Sequence, residues 1–237
     1  MNDALISSDD NRRMFDRISR RYDLLNSVIS LGMDRRWRRR AVSALAPEDG
    51  QTFLDVGCGT GDVAIEIVRQ ASHARVVGID PAEAMLALAD EKALAAGMDD
   101  RLTFRAADVT SPSDEFPEAP FDGVACAFCI RNITNRAAAL ERMIGVMKPG
   151  GRVVILELTR PSNALVRMGH KLYNRTFVPL AGKLLSRAGA YKYLVRSIEN
   201  FPKPQAICDA MDSAGFQNVR TTKLSAGVVT LFTGDAP

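Results

Sequence analysis

The residues best suited to chemistry lie at 53–61, Phe-Leu-Asp-Val-Gly-Cys-Gly-Thr-Gly. An apolar run (Phe53, Leu54, Val56) carries one acid, Asp55, and breaks into Gly57, Gly59 and Gly61. Asp62 to Val68 then reads as a helix. A buried strand that turns through glycines into a helix lets a ligand approach bare backbone. A dinucleotide fingerprint spaces its glycines G-x-G-x-x-G and seats a pyrophosphate on the helix N-terminus. Here the spacing is G-x-G-x-G, with Asp55 two residues before the first glycine. An acid aimed into such a site disfavours phosphate and favours a cation. The alternative is an ordinary strand–turn–helix with no ligand.

S-adenosylmethionine offers a cationic amino group and a sulfonium and carries no phosphate. The stretch resembles the first motif of Rossmann-like methyltransferases. Thr60 and Asp62 line the same turn and are placed to hydrogen-bond the methionine portion. Ligands of parallel sheets bind beyond the carboxyl ends of the strands, where strand order reverses. Asp55, Asp80, Asp108 and Arg131 each fall at or just past such an end. Asp80 closes Val-Val-Gly-Ile-Asp before Pro81, where it either accepts both ribose hydroxyls or only caps a helix. Asp108 either accepts from the exocyclic adenine amine or caps a loop. Val109 beside it, and Ala127 at the end of the fourth strand, are assigned to the same ligand.

Phe128-Cys129-Ile130-Arg131-Asn132 follows the fourth strand, at the position that faces the methyl group in this fold. An Asn/Asp-Pro-Pro-aromatic motif for a planar amine is absent there, which lowers DNA or glutamine N-methylation. Arg131 and Asn132 suit an oxygen-bearing acceptor; a structural Arg paired to the acidic core is the alternative. No metal site is expected. Cys126-x-x-Cys129 has no second pair and reads as two small buried residues.

Positioning these groups requires alternating strands and helices. Strands are expected at 52–56, 75–79, 102–107, 121–128 and 152–158, and helices at 62–71, 82–96, 136–147 and 204–214. Lys148-Pro149-Gly150-Gly151 is expected as the turn before the fifth strand. Val219–Lys223 and Val228–Thr233 read as a closing hairpin. The alternation predicts an α/β fold with a parallel sheet covered on both faces; the resemblance to Rossmann-like methyltransferases implies the class I form, a seven-stranded, mostly parallel sheet with an antiparallel last strand. Residues 1–49 are expected as an N-terminal helical lid, and 50–237 as the core with a helical insertion near 160–200 that adds a second lid element. Within the lid, Arg12–Arg20 and Tyr22–Leu31 read as two helices, and Asp34 as the cap of a third.

At 237 residues the chain suits one large domain or one domain with a lid. Its hydrophobic content of 46% and charged content of 25% are those of a soluble globular protein. No apolar run nears the ~18 residues of a membrane span. Met1–Asp10 has no apolar core, so no secretory signal is expected. Four cysteines fit reduced thiols in the cytoplasm. Net charge is +3, but residues 1–40 carry +4, residues 41–157 carry −8 and residues 158–237 carry +7. The acidic middle holds the glycine motif, so the basic flanks serve something else.

Residues 22–37, Tyr-Asp-Leu-Leu-Asn-Ser-Val-Ile-Ser-Leu-Gly-Met-Asp-Arg-Arg-Trp, resemble the N-terminal signature of the ubiquinone/menaquinone biosynthesis C-methyltransferases. Arg131-Asn132, the Lys-Pro-Gly-Gly stretch ending at Glu157, Tyr193-Leu194, Ser197-Ile198, Phe201-Pro202 and Ala214-Gly215-Phe216 follow in family order. The chain departs from the pattern at Asp34 (His in the family), Leu25, Gly145 and Thr159. The resemblance implies methyl transfer from S-adenosylmethionine to a ring carbon of a polyprenylated quinol. Arg131 would stabilise the developing phenolate or orient a water, Asn132 would partner it, and Tyr22 and Asp23 would close from the lid. A guanidinium is too weakly acidic to act as a base itself.

A polyprenyl tail lives in the bilayer. Basic residues around Trp37 (Arg35–Arg40), and Arg167–Arg196 interleaved with Leu165, Leu172, Phe177 and Leu184, read as a surface for the cytoplasmic membrane face, with Trp37 as an amphipathic anchor. An ordinary solvated basic face is the alternative. No nucleic-acid partner is expected, since no aromatic platform accompanies the basic residues, and a homodimer is left open. An RNA methyltransferase and a noncatalytic S-adenosylmethionine-binding module are the competing functions.

Overall fold

The computed structural model describes residues 8–111, 114–161, 163, 168 and 188–237. Two helices, α1 (Ser8–Ile29) and α2 (Met33–Leu45), precede the sheet. The sheet segment runs β1 (Thr52–Val56), α3 (Asp62–Gln70), β2 (Arg75–Asp80), α4 (Glu83–Ala95), β3 (Leu102–Ala106), β4 (Phe121–Ala127), a 3-10 turn Ile130–Asn132, α5 (Arg136–Gly145) and β5 (Met147–Leu158). After it come α6 (Ala188–Asn200), α7 (Pro204–Ser213), β6 (Gln217–Leu224) and β7 (Val229–Asp235).

The seven strands lie in the order β3-β2-β1-β4-β5-β7-β6. β7 runs antiparallel to both neighbours and the remaining pairs are parallel. Strand order reverses between β1 and β4, which opens a crevice past their carboxyl ends.

Alternation along each strand sends side chains to two cores. Leu54, Val56, Val124 and Cys126 pack under α5 and α7. Phe53, Val76, Ala125 and Val154 pack under α2 and α3, against Trp37, Val42, Ile65 and Ile67. Burying each large apolar side chain contributes ~1.5–3 kcal/mol. Because α2 covers the sheet, it holds whatever it carries against β4 and β5.

Some local expectations change. The two helices expected at 12–20 and 22–31 are one helix, α1, which contains neither Gly nor Pro. It ends where Leu31 and Gly32 take positive φ, at 53° and 75°. Gly32, not Asp34, is the N-cap of α2; Asp34 sits in the first turn and turns its carboxylate inward. Lys148-Pro149-Gly150-Gly151 lies within β5 as a bulge: Met147 pairs Phe121, and pairing resumes at Arg152 with Gly123. Trp37 is buried, and its indole Nε1 donates to Ser225 Oγ at 2.9 Å, so it fastens α2 to the β6–β7 hairpin rather than reaching a membrane. Arg38 is buried beside it, which removes one arginine from the expected basic surface. Leu165, Arg167, Leu172, Phe177 and Leu184 lie outside the described residues.

Candidate active site

The glycine turn forms because β1 must leave the sheet and enter α3 within a few residues. Gly57 and Cys58 both donate to the Ile79 carbonyl, at 2.8 and 3.0 Å, which ties the turn to β2. Gly57 has φ +66°, and a Cβ there would lie 2.2 Å from Cys129 Sγ. No other residue fits, so bare backbone faces the end of β4. Gly59 has φ +53°, and a Cβ there would meet only Tyr22 Cε1, at 3.9 Å. The lid tyrosine therefore closes over the turn, and Gly61 caps α3.

Asp80 bridges the turn and α4. One oxygen accepts from Gly59 N at 3.0 Å, the other from Ala82 N at 2.9 Å. Burial pushes its pKa up to about 6, against those two amides. Asp55 is buried under α3 and accepts from Ala64 N at 3.2 Å. Burial pushes it up to about 7, with the Ala64 amide opposing and Asp80 adding. Asp108 accepts at one oxygen from Thr110 N and Oγ1, at 2.8 and 2.7 Å, so it does cap its loop. Asp108 and Val109 also line a cavity of about 220 Å³ with Gly57, Pro81, Cys129 and Asn132. Ala127, half-buried, ends β4 beside Leu156. Asp55, Gly57, Gly59, Asp80, Asp108, Val109 and Ala127 thus converge on the switch point. Thr60 stands apart: its hydroxyl donates to Asp23 Oδ1 at 2.7 Å and accepts from Lys92 Nζ at 2.9 Å.

Arg131 and Asn132 form the 3-10 turn after β4. Arg131 is buried, its Nη1 2.8 Å from Glu157 Oε1, while its backbone N–H donates to Glu157 Oε2 at 3.1 Å. Nη1 also donates to the Phe128 carbonyl. Burial works to lower the Arg131 pKa, but Glu157 together with Tyr22 and Tyr193 outweighs it and the group stays charged. Its Nε is buried with no partner among the described residues. Arg136 supports the turn by donating to the Ile130 and Arg131 carbonyls, both at 3.1 Å. Asn132 Oδ1 accepts from Tyr193 Oη of α6 at 2.9 Å. Tyr22 sits over this group, its pKa raised by burial. Arg131, Tyr22 and Tyr193 line an apolar cavity of about 50 Å³ with Phe15, Leu25 and Leu194. The predicted catalytic residues are therefore brought together, under a roof of α1 and α6.

Several participants carried little signal in the sequence. Lys92 on α4 binds Asp23 at 2.6 Å and Asp62 at 2.6 Å, latching α1 to the core. Neither its type nor its spacing marked it. Arg38 pairs with Asp34 at 2.5 Å, an i,i+4 pair whose signal is masked by the surrounding arginine run. Glu157 stood in the family pattern without an assigned role.

A parallel sheet with a glycine turn at its switch point and a carboxylate ending β2 defines a class I S-adenosylmethionine-dependent methyltransferase. The model of the ubiE/COQ5 methyltransferase family matches residues 5–235, and the chain belongs to that family. It is 40% identical over 225 residues to the ubiquinone/menaquinone biosynthesis C-methyltransferase UbiE of Geobacter sulfurreducens, covering 94% of this chain and 87% of that one. It is 41% identical over 225 residues to the demethylmenaquinone methyltransferase of Thermus thermophilus, covering 94% of this chain and 100% of that one. Among solved structures, the [4+2]-cyclase SpnF aligns with a TM-score of 0.68 at 16% identity, covering 95% and 96% of the two chains. The Haemonchus contortus phosphoethanolamine N-methyltransferase 2 in complex with S-adenosyl-L-methionine aligns at 0.62 and 18% identity, covering 84% of this chain and 52% of that one. At such identities the likeness is one of fold.

Proposed function

We propose that the chain methylates a ring carbon of a polyprenylated quinol, a demethylmenaquinol or a methoxy-benzoquinol, at the expense of S-adenosylmethionine. The names of its relatives support this, and one observation carries it: the buried Arg131 Nε has no described partner, and Arg131 forms part of the cavity under Tyr22 and Tyr193. Bound S-adenosylmethionine supplies an electrophilic sulfonium methyl. Asp80 and Asp108 would hold its ribose and adenine, and the glycine turn admits its backbone-hugging chain.

The protein's own part concerns the acceptor. A quinol carbon ortho to an oxygen becomes nucleophilic as that oxygen loses its proton. Arg131, fixed by Glu157, offers a preorganised positive charge and a donor to that oxygen. Tyr22 and Tyr193 flank the ring and exclude water. The ring carbon would gain the methyl as the methyl–sulfur bond breaks and S-adenosylhomocysteine is left; the first phenolic proton goes to solvent, and the proton on the methylated carbon passes to the phenolate oxygen, which restores the aromatic quinol. The cavity of about 50 Å³ lies between α1 and α6, beside Arg131.

The isoprenoid tail gives the protein a reason to dock peripherally on the cytoplasmic membrane face. No described helix is long and apolar enough to cross a membrane. Arg35, Arg36, Arg39 and Arg40 of α2 are exposed and supply charge for such a surface. The test is methyl-labelled S-adenosylmethionine offered with each quinol and with each oxidised quinone. Label on a ring carbon of a quinol, and none on the quinones, is expected. Binding of S-adenosylmethionine without transfer to either quinol overturns the assignment and favours a noncatalytic module.

A further inference from the structure

We propose that the turn between α1 and α2, Leu31–Met33, is a lipid-inserting tip. Leu31, with Leu24 and Met33 beside it, enters the acyl layer of an anionic membrane while arginines of α2 hold its phosphates. The inference rests on the peripheral docking proposed above and names the element that enters the bilayer.

Five large apolar side chains are well exposed among the described residues, and three of them cluster in sequence around this turn. Leu31 is 65% exposed, Leu24 53% and Met33 40%. Single exposed leucines are ordinary, but a group of them rimmed by polar residues marks an interaction surface. The backbone sets Leu31 further apart. The Gly32 N–H donates to the Ser27 carbonyl at 2.7 Å and the Leu31 N–H to the Val28 carbonyl at 3.2 Å, the two bonds of a Schellman helix end. The left-handed residue of that motif is usually glycine; here it is Leu31, with φ 53°. A leucine thus stands where glycine or asparagine is less strained and more soluble, and lipid contact offsets both costs.

The same bonds suit the tip to an apolar medium, where an N–H without a partner is costly. The Ser30 N–H donates to the Asn26 carbonyl at 2.8 Å and the Met33 N–H to the Ser30 carbonyl at 3.1 Å. With Leu31 and Gly32, every N–H from Ser30 to Met33 is bonded locally. The base of the tip is braced: Ser225 Oγ accepts from Trp37 Nε1 at 2.9 Å and donates to Met33 Sδ at 3.8 Å.

Charge selects an anionic lipid surface. Arg39 reaches Glu66 at 3.6 Å, whereas the guanidinium groups of Arg35, Arg36 and Arg40 meet no carboxylate among the described residues. Asp34, the one acid between Leu31 and Arg40, is buried against Arg38 and Ser30. An apolar tip beside unpaired arginines matches acyl chains beneath phosphates, and neither part suffices alone. Ile29, two residues before Leu31, lines the acceptor cavity, so an inserted tip brings that end of the cavity to the layer where an isoprenoid tail lies.

Leu31→Asn tests this, because asparagine tolerates the left-handed backbone and the fold should be kept. Its partition onto liposomes of phosphatidylglycerol and phosphatidylcholine should fall about 10- to 100-fold, the scale of one leucine returned to water. Leu31→Trp should bind as the wild type does, and its emission should be quenched by liposomes of acyl-brominated phosphatidylglycerol. The wild type, whose sole tryptophan is the buried Trp37, should keep its emission. Undiminished partition of Leu31→Asn, or an unquenched Leu31→Trp on liposomes that it binds, overturns the tip and leaves docking through the arginines standing. A wild type that binds no anionic liposome refutes the docking itself, and the tip with it. A lipid-free dimer of the wild type that Leu31→Asn abolishes assigns the tip to a second copy of the chain and overturns the proposal.

Discussion

Glu157 grips Arg131 twice: its Oε1 lies 2.8 Å from the guanidinium Nη1, and its Oε2 accepts the backbone N–H of Arg131 at 3.1 Å. The pair is buried, and it joins the end of β5 to the turn after β4. Charge and orientation at the acceptor cavity thus come from one carboxylate on the neighbouring strand.

Glu157→Gln keeps a hydrogen-bonding amide but leaves Arg131 without its counter-charge. Breaking a buried pair costs roughly 3–5 kcal/mol, so a lowered unfolding midpoint is expected. In the folded fraction, kcat should drop about 10- to 100-fold, with S-adenosylmethionine affinity nearly unchanged. Arg131→Lys should behave alike, because ammonium lacks the planar fork. Near-normal turnover in either variant would assign Arg131 a structural role alone.

Asp80 makes cofactor binding depend on pH. Its pKa is pushed up to about 6 by burial, so it loses its charge as pH falls through that value. If the ionised form holds the ribose, the dissociation constant should rise ~10-fold between pH 7 and pH 5. Stability moves in the opposite sense. The folded pKa exceeds the unfolded 3.8, so ionised Asp80 costs nothing below about pH 3.8, and its cost grows up to about pH 6 and stays above it. Asp80→Asn should therefore unfold later than wild type at pH 8 but not at pH 3.5, and its weakened cofactor binding should be flat in pH. A wild-type binding curve already flat from pH 7 to 5 would remove Asp80 from the ribose site.

Lys92 latches α1 through Asp23 while also touching Thr60. Both partners are about a third exposed, so the pair contributes only ~0–1 kcal/mol to stability. Lys92→Ala should leave the melting temperature within a few degrees of wild type. Amide exchange in α1 should nonetheless quicken, because the lid is left with the Asp16–Ala84 bond as its polar tie to α4. Unaltered exchange across Asp16–Ile29 would mean that apolar packing and the bonds of Asp16 to Ala84 and of Asp23 to Thr60 hold the lid without Lys92.

For membrane docking, the relevant arginines are Arg35, Arg36, Arg39 and Arg40, since Arg38 is buried. Reversing Arg36 and Arg40 to Glu should weaken co-sedimentation with anionic liposomes, at ~1 kcal/mol per charge, without unfolding the protein. Binding should fade with salt and be absent on neutral liposomes. Methylation of a short-tailed quinol should be spared while that of a long-tailed one slows. Equal losses on both substrates would place these arginines in folding or lid function.

Much of the site was legible in the sequence because its signals are local. A glycine that must take positive φ, an acid that ends an apolar strand and a helix that follows at once are fixed by neighbours along the chain. Gly57 and Asp80 are placed that way at the strand ends, and the parallel run of the sheet follows from the alternation of strands and helices, whereas the order of the strands comes only from the folded sheet. The elements that differ do so for local reasons: no Gly or Pro interrupts α1, and Gly150 bends β5 without ending it.

What the sequence by itself determined is the sheet, the glycine turn and the acids placed at strand ends, for these depend on backbone sterics and on a period of two or 3.6 residues. Only the tertiary structure decided which charges meet. The arginine run at 35–40 is broken only by Trp37, yet burial of α2 against β4 and β5 splits it into an inward Arg38 and outward neighbours. Lys92 meets Asp23 across 69 positions of chain, and Arg131 meets Glu157 across two strands. Such pairings arise because charges that leave water must find partners wherever the packed elements bring them.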